Sequence, residues 1–187
     1  VCLISIDSSK PAVMAAAVGD GAGMINDVRA VRYDGALEMS AALGVPICLI
    51  HMQGQPRTMQ QEPRYADVVS DVMAFLSQRV VACERAGIAR ELLVIDPGFG
   101  FGKTLEHNVE LLARLGEFTA LGLPVLAGLS RKSTLGALTG RDVRDRVAGS
   151  VAAGAIACLN GAQILRVHDV AESRDAARIA AAIRDRE

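Results

Sequence analysis

The sequence predicts an α/β fold, and three observations carry that prediction. Six short, nearly continuous apolar runs recur, segments of helical period separate them, and every run ends in charged, amide or hydroxyl groups. The runs are 2–6 (CLISI), 23–26 (GMIN), 46–52 (PICLIHM), 91–96 (ELLVID), 124–130 (PVLAGLS) and 162–168 (AQILRVH). Unbroken apolarity in a short strand means burial on both faces, the condition of a parallel sheet covered by helices. Helices are expected over 11–19, 35–43, 66–86, 106–115, 142–160 and 174–185. The clearest is 66–86, where Val68, Val72, Leu76 and Val80 recur every four residues and Gly87 follows as a stop. Several of the others are rich in alanine, which lets a helix pack close to a sheet.

Alternating units form either an open doubly wound sheet or a barrel. The run ends decide between them: Asp7 with Ser8, Asn26 with Asp27, His51, Asp96, Ser130 with Arg131 and Lys132, and Arg166 with His168 and Asp169. An open sheet concentrates its chemistry at one switch point, whereas polar groups arriving from six strands resemble the loaded upper rim of a barrel. The expectation is a TIM-type (β/α) barrel, here an incomplete barrel of about six strand–helix units. The 187 residues fall short of the ~250 typical of that fold. The chain also opens inside an apolar run without a methionine, so an upstream portion is expected to be absent. No internal repeat, low-complexity tract or linker composition interrupts it, and residues 1–187 are read as a single N-terminally truncated domain.

Lys and Arg number 20 against 21 Asp and Glu, a net charge of −1, with no basic run to follow a phosphate backbone. Nucleic acid is therefore not an expected partner, and without an uninterrupted run of about 18 apolar residues a membrane is not one either. Cys2, Cys48, Cys83 and Cys158 sit singly in apolar segments, as buried reduced thiols do. The expected setting is the cytoplasm.

The densest chemical signal is VIDPGFGFGK at 94–103. It is not a P-loop, since the first glycine of that pattern would fall on Pro97, which has no N–H for a phosphate. Nor is it a dinucleotide fingerprint, whose third glycine would fall on Lys103. Lys103 is expected at the solvent-exposed start of a helix and His107 on a helix surface, while His51 stands as either a rim group or a core histidine.

Together with HMQGQPRTMQ at 51–60, five ordered blocks resemble the dihydropteroate synthases of folate biosynthesis: IDSSK (6–10), IND (25–27), DPGFGFGK (96–103), SRKS (130–133) and RVHDV (166–170). Those enzymes join 6-hydroxymethyl-7,8-dihydropterin pyrophosphate to p-aminobenzoate and release pyrophosphate. A pterin edge offers N3–H and the 2-amino group as parallel donors, and a carboxylate accepts both. The resemblance implies Asp96 in that role, Asp7 and Asn26 on the rest of the polar edge, Phe101 as an apolar wall, and Lys132 donating to the pterin carbonyl or ring nitrogen. Met52, Gly128 and Ser130 complete the implied substrate contacts. Arg166 and His168, two apart on one strand and so on one side, are implied to hold pyrophosphate and, with Lys132, to carry catalysis.

The resemblance also implies Mg²⁺ on the pyrophosphate and a homodimer, but its metal-binding asparagine belongs to a first-strand loop with no counterpart here, so no metal residue is named. Ser8 replaces a common threonine and keeps its hydroxyl. Two other readings stand beside the synthase. A pterin-binding methyltransferase would not need Lys132, Arg166 and His168 for a pyrophosphate, and a non-catalytic pterin-binding module would bind without turnover.

Overall fold

The computed structural model describes residues 2–55, 58–184 and 186. Pro56 and Arg57 of the 51–60 block lie outside them. Four strands, β1 (Ser5–Asp7), β2 (Met24–Asp27), β3 (Ile47–Ile50) and β4 (Leu93–Asp96), pair in parallel and in chain order. Strands β5 (Leu126–Ala127) and β6 (Ile164–Leu165) form a second parallel pair, joined to the first sheet by a bridge between Ile95 and Val125. The helices are α1 (Pro11–Gly19), α2 (Ala36–Leu43), α3 (Val68–Arg85), α4 (Leu105–Ala113), α5 (Ser133–Thr139), α6 (Val147–Leu159) and α7 (Val170–Arg184).

Laid flat, six strands spaced by about 4.8 Å would put β1 and β6 roughly 24 Å apart. Instead Arg166 just beyond β6 donates to Asp7 of β1 at 2.7 Å. A cavity of about 210 Å³ is walled by Ser5, Asp7, Met24 and Asn26 on one side and by Leu126, Ile164 and Arg166 on the other. The parallel arc therefore curls back on itself, as a barrel does and an open sheet does not.

Strand period two then sorts the side chains. Ile25, Ile47, Leu49, Leu93 and Ile95 join the core under the helices, whereas Met24, Cys48, Ile50, Val94 and Leu126 form a smaller cluster inside the arc. Extended along each strand, the inner phase arrives at Asp7, Asn26, Asp96, Gly128 and Arg166. Burial on both faces holds for β2, β3, β4 and β5 but not for β1 and β6. Among the described residues each of those two pairs with one neighbour only. For the same reason Cys2, ahead of β1, is exposed rather than buried; Cys158, on α6, is half-buried.

Helix α3 follows its period: Asp67 caps it by accepting from the Ser70 amide at 2.7 Å, and Val68, Val72, Leu76 and Val80 are buried. His107 is not a free surface group. It closes a capping box with Thr104 at the start of α4, and its ring stands 4.9 Å from Tyr65. Helix α5, seven residues with an internal glycine, was not expected, and α6 starts only at Val147, after a 3₁₀ turn at Val143–Asp145. Leu76 is fully buried under α3. Leu76→Ala should lower the unfolding free energy by about 2–5 kcal/mol in a urea titration; a loss under 1 kcal/mol would show that this stripe is not what docks α3.

Candidate active site

Past β4 the chain leaves regular structure, and its polar backbone is satisfied by side chains instead. Asp96 accepts from the Gly98 amide at 2.7 Å and Asn108 from the Gly100 amide at 2.6 Å. Gln60 donates to the Gly100 carbonyl at 2.6 Å and Tyr65 to that of Gly102 at 2.7 Å. Gly98 has φ +75° and a Cβ there would stand 1.8 Å from the His51 carbonyl, so no other residue fits without moving β3. Phe99 turns into the core, while Phe101 lies beneath the Lys132 ammonium, 4.2 Å from its ring centre.

Beside this segment opens a cleft of about 350 Å³ walled by Asp96, Phe101, Gly128, Ser130, Lys132, Arg166, Val167 and His168. All but Val167 were expected there. Asp7 and Asn26 line the adjoining cavity and share Arg166 with it. Met52 stands apart, in the wall of a separate cavity of about 270 Å³ with Arg29, Arg32, Gly54 and Gln55. Met52 lies two residues past Ile50, the last paired residue of β3.

Arg131 is the αL residue that lets both its neighbours face the cleft. Its φ is +57°, its side chain reaches Asp169 at 3.0 Å, and its amide donates to Ser150 at 2.9 Å. These two rim residues therefore clamp the loop rather than line the site. Ser130 Oγ accepts from the His168 amide at 3.1 Å and lies 3.0 Å from His168 Nδ1, which orients the ring.

Charges are opposed across the cleft. Burial raises the Asp96 carboxyl above its usual range, with Lys132 and the Gly98 amide pulling the other way. Burial lowers the Lys132 ammonium, opposed by Asp96. Lys132 donates to the Phe99 carbonyl. Asn26 is buried, and its Nδ2 has no partner among the described residues. A donor so placed is costly unless something from the cavity accepts from it.

A model of the family described as pterin binding enzyme matches residues 1–168. The chain belongs to the pterin-binding enzyme family. Dihydropteroate synthase of Haemophilus influenzae is 52% identical over 178 residues, covering 95% of this chain and 65% of that protein. The Escherichia coli K12 synthase is 50% identical over 176 residues, covering 94% of this chain and 62% of its own length. The chain thus spans a little under two thirds of these curated relatives.

Among solved structures, Yersinia pestis dihydropteroate synthase with a sulfonamide superposes with a TM-score of 0.98 at 47% identity, over all of this chain and 68% of that one. The Xanthomonas albilineans synthase in complex with 7,8-dihydropteroate gives 0.90 at 53% identity, over 97% and 66%. The fold of this chain is accordingly a partial (β/α) barrel.

Lys103 departs from expectation. It is only 3% exposed, and its ammonium reaches His51 Nδ1 at 2.8 Å and the carbonyls of Gly98 at 3.0 Å and Phe101 at 3.2 Å. The glycine segment folds over it, which local sequence does not reveal. Gln60, Tyr65 and Asn108, which fasten that segment, were missed too; their only trace is that a run of glycines has carbonyls needing donors. Among the described residues no group of three or more His, Cys, Asp or Glu converges to hold a metal. The residues present do not fit a protein-held Mg²⁺.

Burial brings the Lys103 ammonium from 10.5 down to about 7. Between those values the unfolded chain binds the proton and the folded chain releases it, so stability should rise with pH from about 7 upward. The difference in Tm between the protein and Lys103→Met should therefore shift in the protein's favour from pH 7 to about 8.5, short of ordinary cysteine titration. A difference independent of pH would mean that Lys103 keeps an ordinary pKa.

Proposed function

We propose that the chain carries the pterin and pyrophosphate sites of a dihydropteroate synthase, which condenses 6-hydroxymethyl-7,8-dihydropterin pyrophosphate with p-aminobenzoate. The observation that carries this reading is the pairing of a buried carboxylate, Asp96, with the unpartnered amide of Asn26 around one cavity system. Asp96 accepts from the pterin N3–H and 2-amino group, and Asn26 Nδ2 donates to an acceptor on the same ring. Lys132 exchanges the Phe99 carbonyl for the pterin carbonyl or ring nitrogen. Phe101 supplies an apolar wall, with Gly128 leaving room for a flat ring. Asp7 pairs with Arg166 at 2.7 Å and completes the polar edge.

Arg166 and His168, the latter oriented by Ser130, receive the charge of departing pyrophosphate. The methylene C–O bond breaks with its electron pair going to pyrophosphate, and the pterin ring delocalises the cation left behind. The arylamine nitrogen then forms the new C–N bond and loses a proton. No side-chain nucleophile is needed. Mg²⁺ enters this scheme only as the counter-ion of the pyrophosphate substrate, which requires no protein cage. Support for this substrate and product pair comes from Xanthomonas albilineans synthase structures with 4-aminobenzoic acid and with 7,8-dihydropteroate, the condensation product. A pterin-binding methyltransferase is disfavoured because Lys132, Arg166 and His168 line the same cleft, and a methyl donor brings no pyrophosphate for them to hold.

The proposed setting is a reducing cytoplasm, in keeping with four free cysteines and with no helix of the described residues long and apolar enough to cross a membrane. The proposed assembly is a homodimer through α6 and α7, whose Ile156, Leu159, Ile179 and Ile183 are exposed. Light scattering should give twice the chain mass, and a monomer at micromolar concentration would remove that proposal.

In titrations with 6-hydroxymethylpterin, Asp96→Asn should lose about 1–3 kcal/mol of affinity. The unaltered protein should bind less well as pH falls, beginning above the usual carboxylate range of about 4, because the raised Asp96 carboxyl protonates early. Arg166→Ala should weaken inorganic pyrophosphate far more than the bare pterin. Unchanged pterin affinity in Asp96→Asn, or equal losses for both ligands in Arg166→Ala, would defeat these assignments.

A further inference from the structure

The glycine segment has five consecutive carbonyls, from Gly98 to Gly102, and each is met by a side chain: Lys103 at Gly98, Lys132 at Phe99, Gln60 at Gly100, Lys103 again at Phe101, and Tyr65 at Gly102. Lys103 alone serves two of the five, and it is not among the residues that wall the cleft. Its third donor goes to His51 Nδ1, just past the end of β3. An ammonium has three N–H groups and no acceptor, and here it meets three acceptors at 2.8, 3.0 and 3.2 Å. His51 is suited to accept, since burial and the facing Lys103 lower its pKa to about 2 and leave the imidazole neutral. Its ring is fixed edge-on to Phe75 at 4.9 Å, and the ammonium also stands 5.9 Å from the Tyr65 ring.

Burying an ammonium is expensive, and an apolar side chain of the same length would avoid the cost. What the charge gives in return is geometry. Phe101 faces the cleft and its carbonyl is held by Lys103; Phe99 lies between the two anchored carbonyls and receives Lys132. We propose that Lys103 is a positioning residue: its ammonium ties the Gly98–Phe101 turn to His51, and so sets where the Phe101 ring and the Lys132 ammonium stand when a pterin enters. This deepens the synthase reading and rests on it for the ligand, though not for the tie itself.

The test compares the protein with Lys103→Met, His51→Leu and His51→Asn. Asparagine places an oxygen near where His51 Nδ1 stood, while leucine fills the space with no acceptor. Amide hydrogen exchange of residues 98–102 should accelerate at least tenfold in Lys103→Met and His51→Leu, and by no more than about twofold in His51→Asn. Affinity for 6-hydroxymethylpterin should fall at least tenfold in the first two and return in His51→Asn, without following the order of their Tm values. Unchanged exchange in Lys103→Met and His51→Leu overturns the tie. Faster exchange with undiminished pterin affinity overturns the positioning role. Should Lys103→Met not fold, the His51 pair decides, since it leaves the lysine and the glycine segment intact. If the unaltered protein binds no pterin, the synthase reading falls, and the exchange comparison still judges the tie.

Discussion

Parallel pairing is the constraint from which the site descends. Every strand is followed by a crossover that returns the chain to the opposite end, so all the described strands finish on one rim. Alternation then selects which residue of each strand tip faces inward, and the curl of the arc turns neighbours along a line into neighbours around a mouth. Asp7 and Arg166, 159 positions apart, meet only because of that curl. Strand direction and period thus set Asp7, Asn26, Asp96 and Arg166 around the mouth, and the loops after β4, β5 and β6 add Phe101, Ser130, Lys132 and His168.

A second requirement is that polar atoms under the rim be answered. Asp96 loses hydration on burial and recovers part of it from the Gly98 amide and the nearby Lys132 charge. Asp27, buried two strands away at the end of β2, accepts from Ser9 and from the amides of Arg29 and Val31, and it steadies a turn in which Ala30 and Val31 both have positive φ. In each case a carboxylate at a strand end organises the loop that follows it. Where carboxylates bind backbone the rim is tied down, whereas Asn26 Nδ2 has no partner among the described residues.

Much of this was legible because the signals are local. Apolar runs, the four-residue stripe of α3 and the polar tips each occupy a few consecutive residues, and β2, β3 and β4 fall where the runs do. The residues from Asp96 to His168 that line the cleft were found for the same reason, and the resemblance to the family implied their roles. What escaped is held by contacts across long stretches of chain. Tyr65 and Gln60 reach the glycine segment from 37 and 40 positions away. Lys103 looked like a surface residue because lysine usually is one, and its acceptor on His51 lies 52 positions off. Cys2 was misjudged by assuming that an apolar run is covered wherever it occurs.

The bond between Lys132 and the Phe99 carbonyl bears on which flat molecules the cleft can tell apart. That ammonium is already engaged, so a newcomer gains from it only the difference between its own acceptor and a peptide oxygen. A ring without a strong acceptor can lie against Phe101 and leave the lysine where it is. On the proposed reading, a heterocycle with a more basic oxygen or nitrogen would draw the lysine across and release the Phe99 carbonyl. Discrimination at this point would then follow acceptor basicity rather than outline, separating two molecules of the same shape by the electron density along one edge.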